Sequence, residues 1–219
     1  MDNNFNTYTP QLWHNASFYN NPTSVQNQDE LVKSSELSQP LNNNSSMYYI
    51  ANVPIDLAKS LEGKYFVGMA EDLTFGNATN AWARLHNPPD SGVNLFVNVW
   101  TTTDISSTPY RVQIFINSEA PGIVQESSLV TSANTALNPI PKPRTRLEYA
   151  VGVRGLPQGG TKAFGRYGQA GTTINSEEYG KFIIPPGGSF MVFLSNPETP
   201  TKPAIGKVAF GWWEEPVAL

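Results

Sequence analysis

Histidine stands at only two positions, His14 and His86, and cysteine at none. Serine-type nucleophilic catalysis needs a histidine held between a carboxylate and a nucleophile on a strained turn. His86 runs directly into the turn residues of Asn87–Gly92, His14 lies in an Asn-rich N-terminal stretch, and no Gly-x-Ser-x-Gly occurs. The dense carboxylates are three adjacent pairs, Glu71-Asp72, Glu177-Glu178 and Glu214-Glu215. Neighbouring residues of a strand point to opposite faces, so each pair offers at most one ligand per side. Thiolate metal sites and disulfides are impossible without cysteine. Calcium held by loop carboxylates, and a glycosidase with two facing carboxylates brought together by the fold, stay open as lesser alternatives, with solvated surface charge the better reading of the pairs. The Gly-rich stretch Gly159–Gly168 fails as a phosphate cradle, because Lys162 follows Thr161 and no helix pattern comes after. The expectation is a non-enzymatic protein with no catalytic residue, no metal and no cofactor.

What remains is aromatic. Trp82, Trp100, Trp212 and Trp213, with Phe96 and Phe115, could form a core or a stacking platform for sugar rings. Their placement depends on the elements that carry them. Val93, Leu95, Val97 and Val99 alternate with Asn94 and Asn98, and Tyr110, Val112, Ile114 and Ile116 alternate with Arg111 and Gln113. A period of two is the mark of a strand with one buried face. The polar stretch Thr102–Pro109 reads as a turn, and the simplest hairpin sets Val97 opposite Ile114 and Val99 opposite Val112. That register puts Phe96 beside Phe115 on the face away from the aliphatic set, with Trp100 on the same side. In the final strand, Val208, Phe210 and Trp212 share a face and Trp213 points outward. Phe96, Trp100, Phe115 and Trp213 are therefore the candidate docking or glycan-binding face. A cluster of that size needs a cover: another layer of the same domain, a glycan, or an arm from a neighbouring subunit.

Further strands are expected at Met47–Val53, Lys64–Met69, Ala81–His86, Ile123–Val130, Arg146–Val153, Lys181–Ile184, Ser189–Leu194 and Ile205–Glu214. Pro54–Leu61 reads as a short helical turn ended by Gly63, and Gly155–Gly171 as a long loop. Pro185-Pro186-Gly187-Gly188 is a tight turn between two strands. With 17 glycines and 18 prolines in 219 residues, the pattern is that of an all-β protein, a jelly-roll-like antiparallel β-sandwich at residues 47–219.

Residues 1–46 differ from the rest. Ten of them are Asn, yet the segment carries Phe5, Tyr8, Leu12, Trp13, Phe18 and Tyr19. Aromatics on an otherwise polar arm suggest anchors that dock on a surface. Asp29–Leu37 could add a turn or two of helix. The formal net charge is -4, with 14 Lys and Arg spread along the chain, which leaves no basic stripe for nucleic acid. No apolar run reaches the length of a membrane span, and Met1–Pro10 lacks the basic and apolar regions of a classical signal peptide.

At Asn80–Trp100 (NAWARLHNPPDSGVNLFVNVW) and Phe182–Pro216 (FIIPPGGSFMVFLSNPE through GKVAFGWWEEP) the chain resembles an uncharacterised all-β domain family of spore-forming bacteria. It is more loosely similar to endospore-appendage subunits, small jelly rolls whose N-terminal arms join successive copies. The longer arm and the lack of arm cysteines depart from that pattern and exclude disulfide cross-links. The first resemblance implies no activity. The second implies a subunit whose partner is itself, joined into a filament or other surface assembly as its arm adds to an open sheet edge of the next copy. The location would then be extracellular or on a spore surface, and otherwise cytoplasmic. The other expectation is a carbohydrate-binding or adhesion module that meets a cell- or spore-surface glycan.

Overall fold

A computed structural model describes residues 52–217. The arm anchors Phe5, Tyr8, Leu12, Trp13, Phe18 and Tyr19, the helical turn at Asp29–Leu37 and most of the expected Met47–Val53 strand lie outside them. Asn52 and Val53 are not in a strand. The elements are helix α1 (Ile55–Leu61) and strands β1 (Tyr65–Gly76), β2 (Asn80–His86), β3 (Val93–Asp104), β4 (Tyr110–Ile116), β5 (Gln125–Glu126), β6 (Val130–Ser132), β7 (Arg146–Val153), β8 (Thr161–Gly168), β9 (Thr173–Ile184), β10 (Ser189–Ser195) and β11 (Pro203–Pro216). One sheet, A, runs β6-β1-β11-β3-β9, and the other, B, runs β5-β7-β2-β10-β4-β8.

The pairing follows one rule. First strand pairs with last, second with second-last, and so inward: β1 with β11, β2 with β10, β3 with β9 and β4 with β8, all antiparallel. This is a long hairpin wrapped on itself, closed by β11 against β3 and β10 against β4. Such wrapping gives the jelly roll. The chain between β4 and β8 is the hairpin's tip, and it carries β5, β6 and β7.

Consecutive strands of the roll therefore alternate between sheets, which corrects the β3–β4 hairpin. Val97 pairs with Trp212 and Phe182 in sheet A, whereas Ile114 pairs with Val192 and Phe164 in sheet B. Both strands turn their aliphatic residues to a single core between the sheets, with Leu95, Val97, Val112 and Ile114 in it. Alternation identified the buried face and was silent on the partner. The Pro185–Gly188 turn also crosses between sheets. The Gly188 amide donates to the Pro185 carbonyl at 3.0 Å, and Gly187 takes the φ of +86° that a type II turn requires. Buried Asn87 fastens the same corner, its Nδ2 donating to the Val93 and Ile184 carbonyls at 2.8 and 3.0 Å.

Two further expectations change. Gly155–Gly171 is not all loop, since it contains the edge strand β8. Ile123–Val130 is divided between the short strands β5 and β6. Helix α1 forms where expected, followed by Gly63 at φ +73°.

Candidate docking groove

A one-residue irregularity in β3 decides which side chains are available. The β3–β9 register slips between Val97 and Val99, and the β11–β3 register slips between Gly211 and Trp212. Such a bulge shifts the phase of alternation by one. Val93, Leu95 and Val97 point into the core before it, and Trp100, Thr102 and Asp104 are the buried residues after it. Trp100 is thus 0% exposed, and its Nε1 donates to Glu178 Oε1 at 3.0 Å. This corrects its placement on the outer face. Val99, expected inside, takes the outer face in its stead.

Phe115 also leaves the proposed face. It lies in sheet B, not beside Phe96, in a second apolar layer with Trp82, Met191, Phe193, Ala150 and Val153. The chain beyond β4 folds over this layer. Trp82 Nε1 donates to the Pro121 carbonyl at 2.8 Å, and the Glu119 and Gln158 backbones bond to each other at 2.8 and 3.1 Å. The cover is another layer of the same domain. Of the four candidates, Phe96 and Trp213 alone meet, stacked at 5.3 Å between ring centroids and 7° between planes on the outside of sheet A. Trp213 is buried, and Phe96 stays partly exposed.

The same outer surface continues into an open groove of about 550 Å³. Its floor is the outward row Val67, Gly211 and Val99, with Met69, Ala209 and Thr101 in the next row. Its wall is Ser128–Thr131, held to β1 by the Met69 amide donating to the Leu129 carbonyl at 3.0 Å and by Ser127 Oγ donating to the Met69 carbonyl at 2.6 Å. Val67, Met69 and Leu129 are 39%, 38% and 46% exposed. Gly211 makes the depression: a β-carbon there would run into the Tyr65 hydroxyl and lie 2.8 Å from Val99. Tyr65 closes the end towards Trp213, its hydroxyl accepting from Asn98 Nδ2 at 2.9 Å. Burial pushes the Tyr65 phenol above its usual value, with the Asn98 bond opposing.

Among the described residues the groove is lined by apolar side chains with Thr101, Ser128 and Thr131. It can take up an apolar group. Alternation in the sequence puts Val99 in the core, which hides the groove. Gly211 was the legible signal, since glycine inside a strand marks a bulge or a close approach.

The pairs Glu177-Glu178 and Glu214-Glu215 split between faces, whereas Glu71 and Asp72, at the irregularity between Ala70 and Leu73, line one hollow. Glu214 is buried and accepts from the Arg144 and Thr145 amides, while Glu215 turns out to Lys59 at 2.6 Å and Lys64 at 3.0 Å. Glu178 turns in to Trp100, and Glu177 turns out to Tyr179. Half-buried His86 leaves its Nδ1 without a partner, and desolvation pushes its pKa down against the pull of Glu148. Among the described residues no cluster of three or more His, Asp or Glu could hold a metal ion, and no helix is long and apolar enough to cross a membrane.

No curated protein and no solved structure matches the chain. The Family of unknown function (DUF6143) matches residues 41–219, and the chain belongs to that family.

Proposed function

We propose that this protein is a non-enzymatic structural subunit that self-assembles, its N-terminal arm docking in the sheet A groove of a neighbouring copy. The observation that carries the reading is the groove itself, apolar, open and uncovered among the described residues. The arm supplies a matching occupant. Phe5, Tyr8, Leu12, Trp13, Phe18 and Tyr19 stand on a polar segment with no apolar pattern of its own, and each side chain fully buried contributes about 1.5–3 kcal/mol. Fully extended, 46 residues span up to about 150 Å, enough to reach a second molecule. The assembly would be a filament or other surface structure, extracellular or on a spore, as the similarity to endospore-appendage subunits implies. A glycan platform has weaker support, because Trp100 and Trp213 are buried and Phe115 is covered by its own chain.

The test is removal of residues 1–46, followed by sedimentation velocity and negative-stain microscopy. The truncated protein should be a folded monomer where the full chain associates. Unchanged assemblies would refute arm docking. A full chain that stays monomeric at every concentration would refute docking on a neighbouring copy.

A further inference from the structure

The sandwich ends differently at its two sides. At one side stand β8 and β9, the last strands of their sheets, each with one edge unpaired among the described residues. Lys162 and Arg166 on β8 and Lys181 on β9 are exposed there. Arg166 spans the gap between the two edges, lying 5.2 Å from the Phe164 ring centroid while its Nη2 donates to Ser176 Oγ at 3.2 Å. Glu177 is the one exposed acidic residue on either strand. The opposite side, at β5 and β6, is acidic. Glu71, Asp72 and Glu126 surround a hollow of about 340 Å³ there, and Lys207 neutralises Glu71 alone, at 2.7 Å.

Open edges of 8 and 12 residues are templates for another chain unless something discourages pairing. Lysine on an edge discourages that edge from meeting its own copy, since like charges would oppose one another. It does not discourage an acidic surface. We propose that copies of this chain join head to tail, the basic β8/β9 side of one against the acidic β5/β6 side of the next. The contact is heterologous, so it propagates into a filament or closes into a ring.

The inference rests on the self-assembly reading and names the surfaces that meet. The chain enters the described fold just before α1, which is tied to β11 by Lys59 and Glu215 at 2.6 Å. The sheet A groove shares Ser128 and Leu129 with the acidic hollow, so a neighbour seated on the hollow lies beside the groove.

The test uses the full chain in two charge-reversed forms. Lys162→Glu with Lys181→Glu makes both sides acidic, and Glu71→Lys with Glu126→Lys makes both basic. Each form alone should sediment as a monomer at about 50 mM salt, where the parent associates, and circular dichroism should show both folded. An equal mixture should co-assemble, with apparent affinity recovered at least about tenfold over either form alone and lost again at about 500 mM salt. Association of either form alone at the parental level overturns the proposal, and so does a mixture that stays monomeric. If removal of residues 1–46 abolishes parental association while the mixture recovers none, arm docking stands and the edge contact falls. A mixture that recovers, beside a truncated protein that still assembles, gives the reverse. A parent that never associates overturns both.

Discussion

Gly180 lies flat against the indole of Trp213, so close that a β-carbon on Gly180 would overlap the six-membered ring. Its φ of +71° is the left-handed conformation that glycine adopts without cost. The pair closes the end of sheet A where Trp213 stacks on Phe96. Gly180→Ala should therefore destabilise the domain by about 2–4 kcal/mol, combining overpacking with a left-handed penalty. Gly152→Ala is the control, since Gly152 has φ +59° and nothing within 4 Å of its would-be β-carbon; it should cost only about 1 kcal/mol. Urea unfolding of the two variants separates the clash from the strain, and equal midpoints would show that the glycine–indole contact contributes nothing.

Trp100 and Glu178 make the second prediction. Trp100→Phe keeps most of the apolar volume and removes the Nε1 donor, leaving buried Glu178 with Ser176 Oγ at 2.7 Å. Loss of a hydrogen bond to a buried charged group costs about 1–3 kcal/mol. The unfolding midpoint should fall accordingly. A surface platform residue would leave it unchanged, so the same measurement decides between core and exposed roles for this tryptophan.

The strands were legible in the sequence and their partners were not, for a reason visible at Val97 and Ile114. Alternation reports which side of a strand is wet, a local property, whereas pairing in a wrapped hairpin joins β1 to β11 across the whole chain. The bulge near Asn98 was hidden for the same reason. Val-Asn-Leu-Phe-Val-Asn-Val-Trp reads as one uninterrupted alternation, and only the β9 and β11 partners fix where the phase slips. Strand β8 was missed because an edge strand bearing Lys162, Gly165 and Arg166 shows no apolar face. The groove inherits each of these gaps, being built from the outer side of paired strands whose neighbours are far away in sequence.

Helix α1 gives a pH-dependent prediction. Lys59 and Lys64 both meet Glu215 on β11, and both also meet Glu62. Burial alone would raise the Glu215 carboxyl, but hydrogen bonds from Lys59 and Lys64 outweigh it and hold the group below its usual value. A depressed carboxyl stabilises the fold above its unfolded pKa and loses that contribution as pH falls through the folded value. The loss should therefore begin below about pH 4.5 and amount to no more than about 1 kcal/mol at this partly exposed site. The protection factors of the Ile55–Leu61 amides, with the intrinsic pH dependence of exchange divided out, should fall between about pH 4.5 and about pH 3 more than those of β10. In Glu215→Gln the helix should exchange faster at neutral pH and show little further change on acidification. An acid response equal to the parent's would place the responsible group elsewhere.

Met69 tests the groove without touching the fold. Its side chain is outward on β1, between the Leu129 wall and the Ala209 floor, and over a third of it is exposed. Met69→Glu puts a charge where an apolar anchor would sit, and a charged group facing buried apolar surface costs several kcal/mol unless it is paired. Outward substitutions away from the core usually change stability by about 0.5 kcal/mol or less, so the unfolding midpoint should barely move. Association of the full chain should weaken at least about a hundredfold, since each 1.4 kcal/mol is a factor of ten. The protein truncated of residues 1–46 should bind a separate peptide of those residues, and Met69→Glu in that background should weaken the peptide's binding by the same factor. Equal binding to both would show that the groove does not receive the arm.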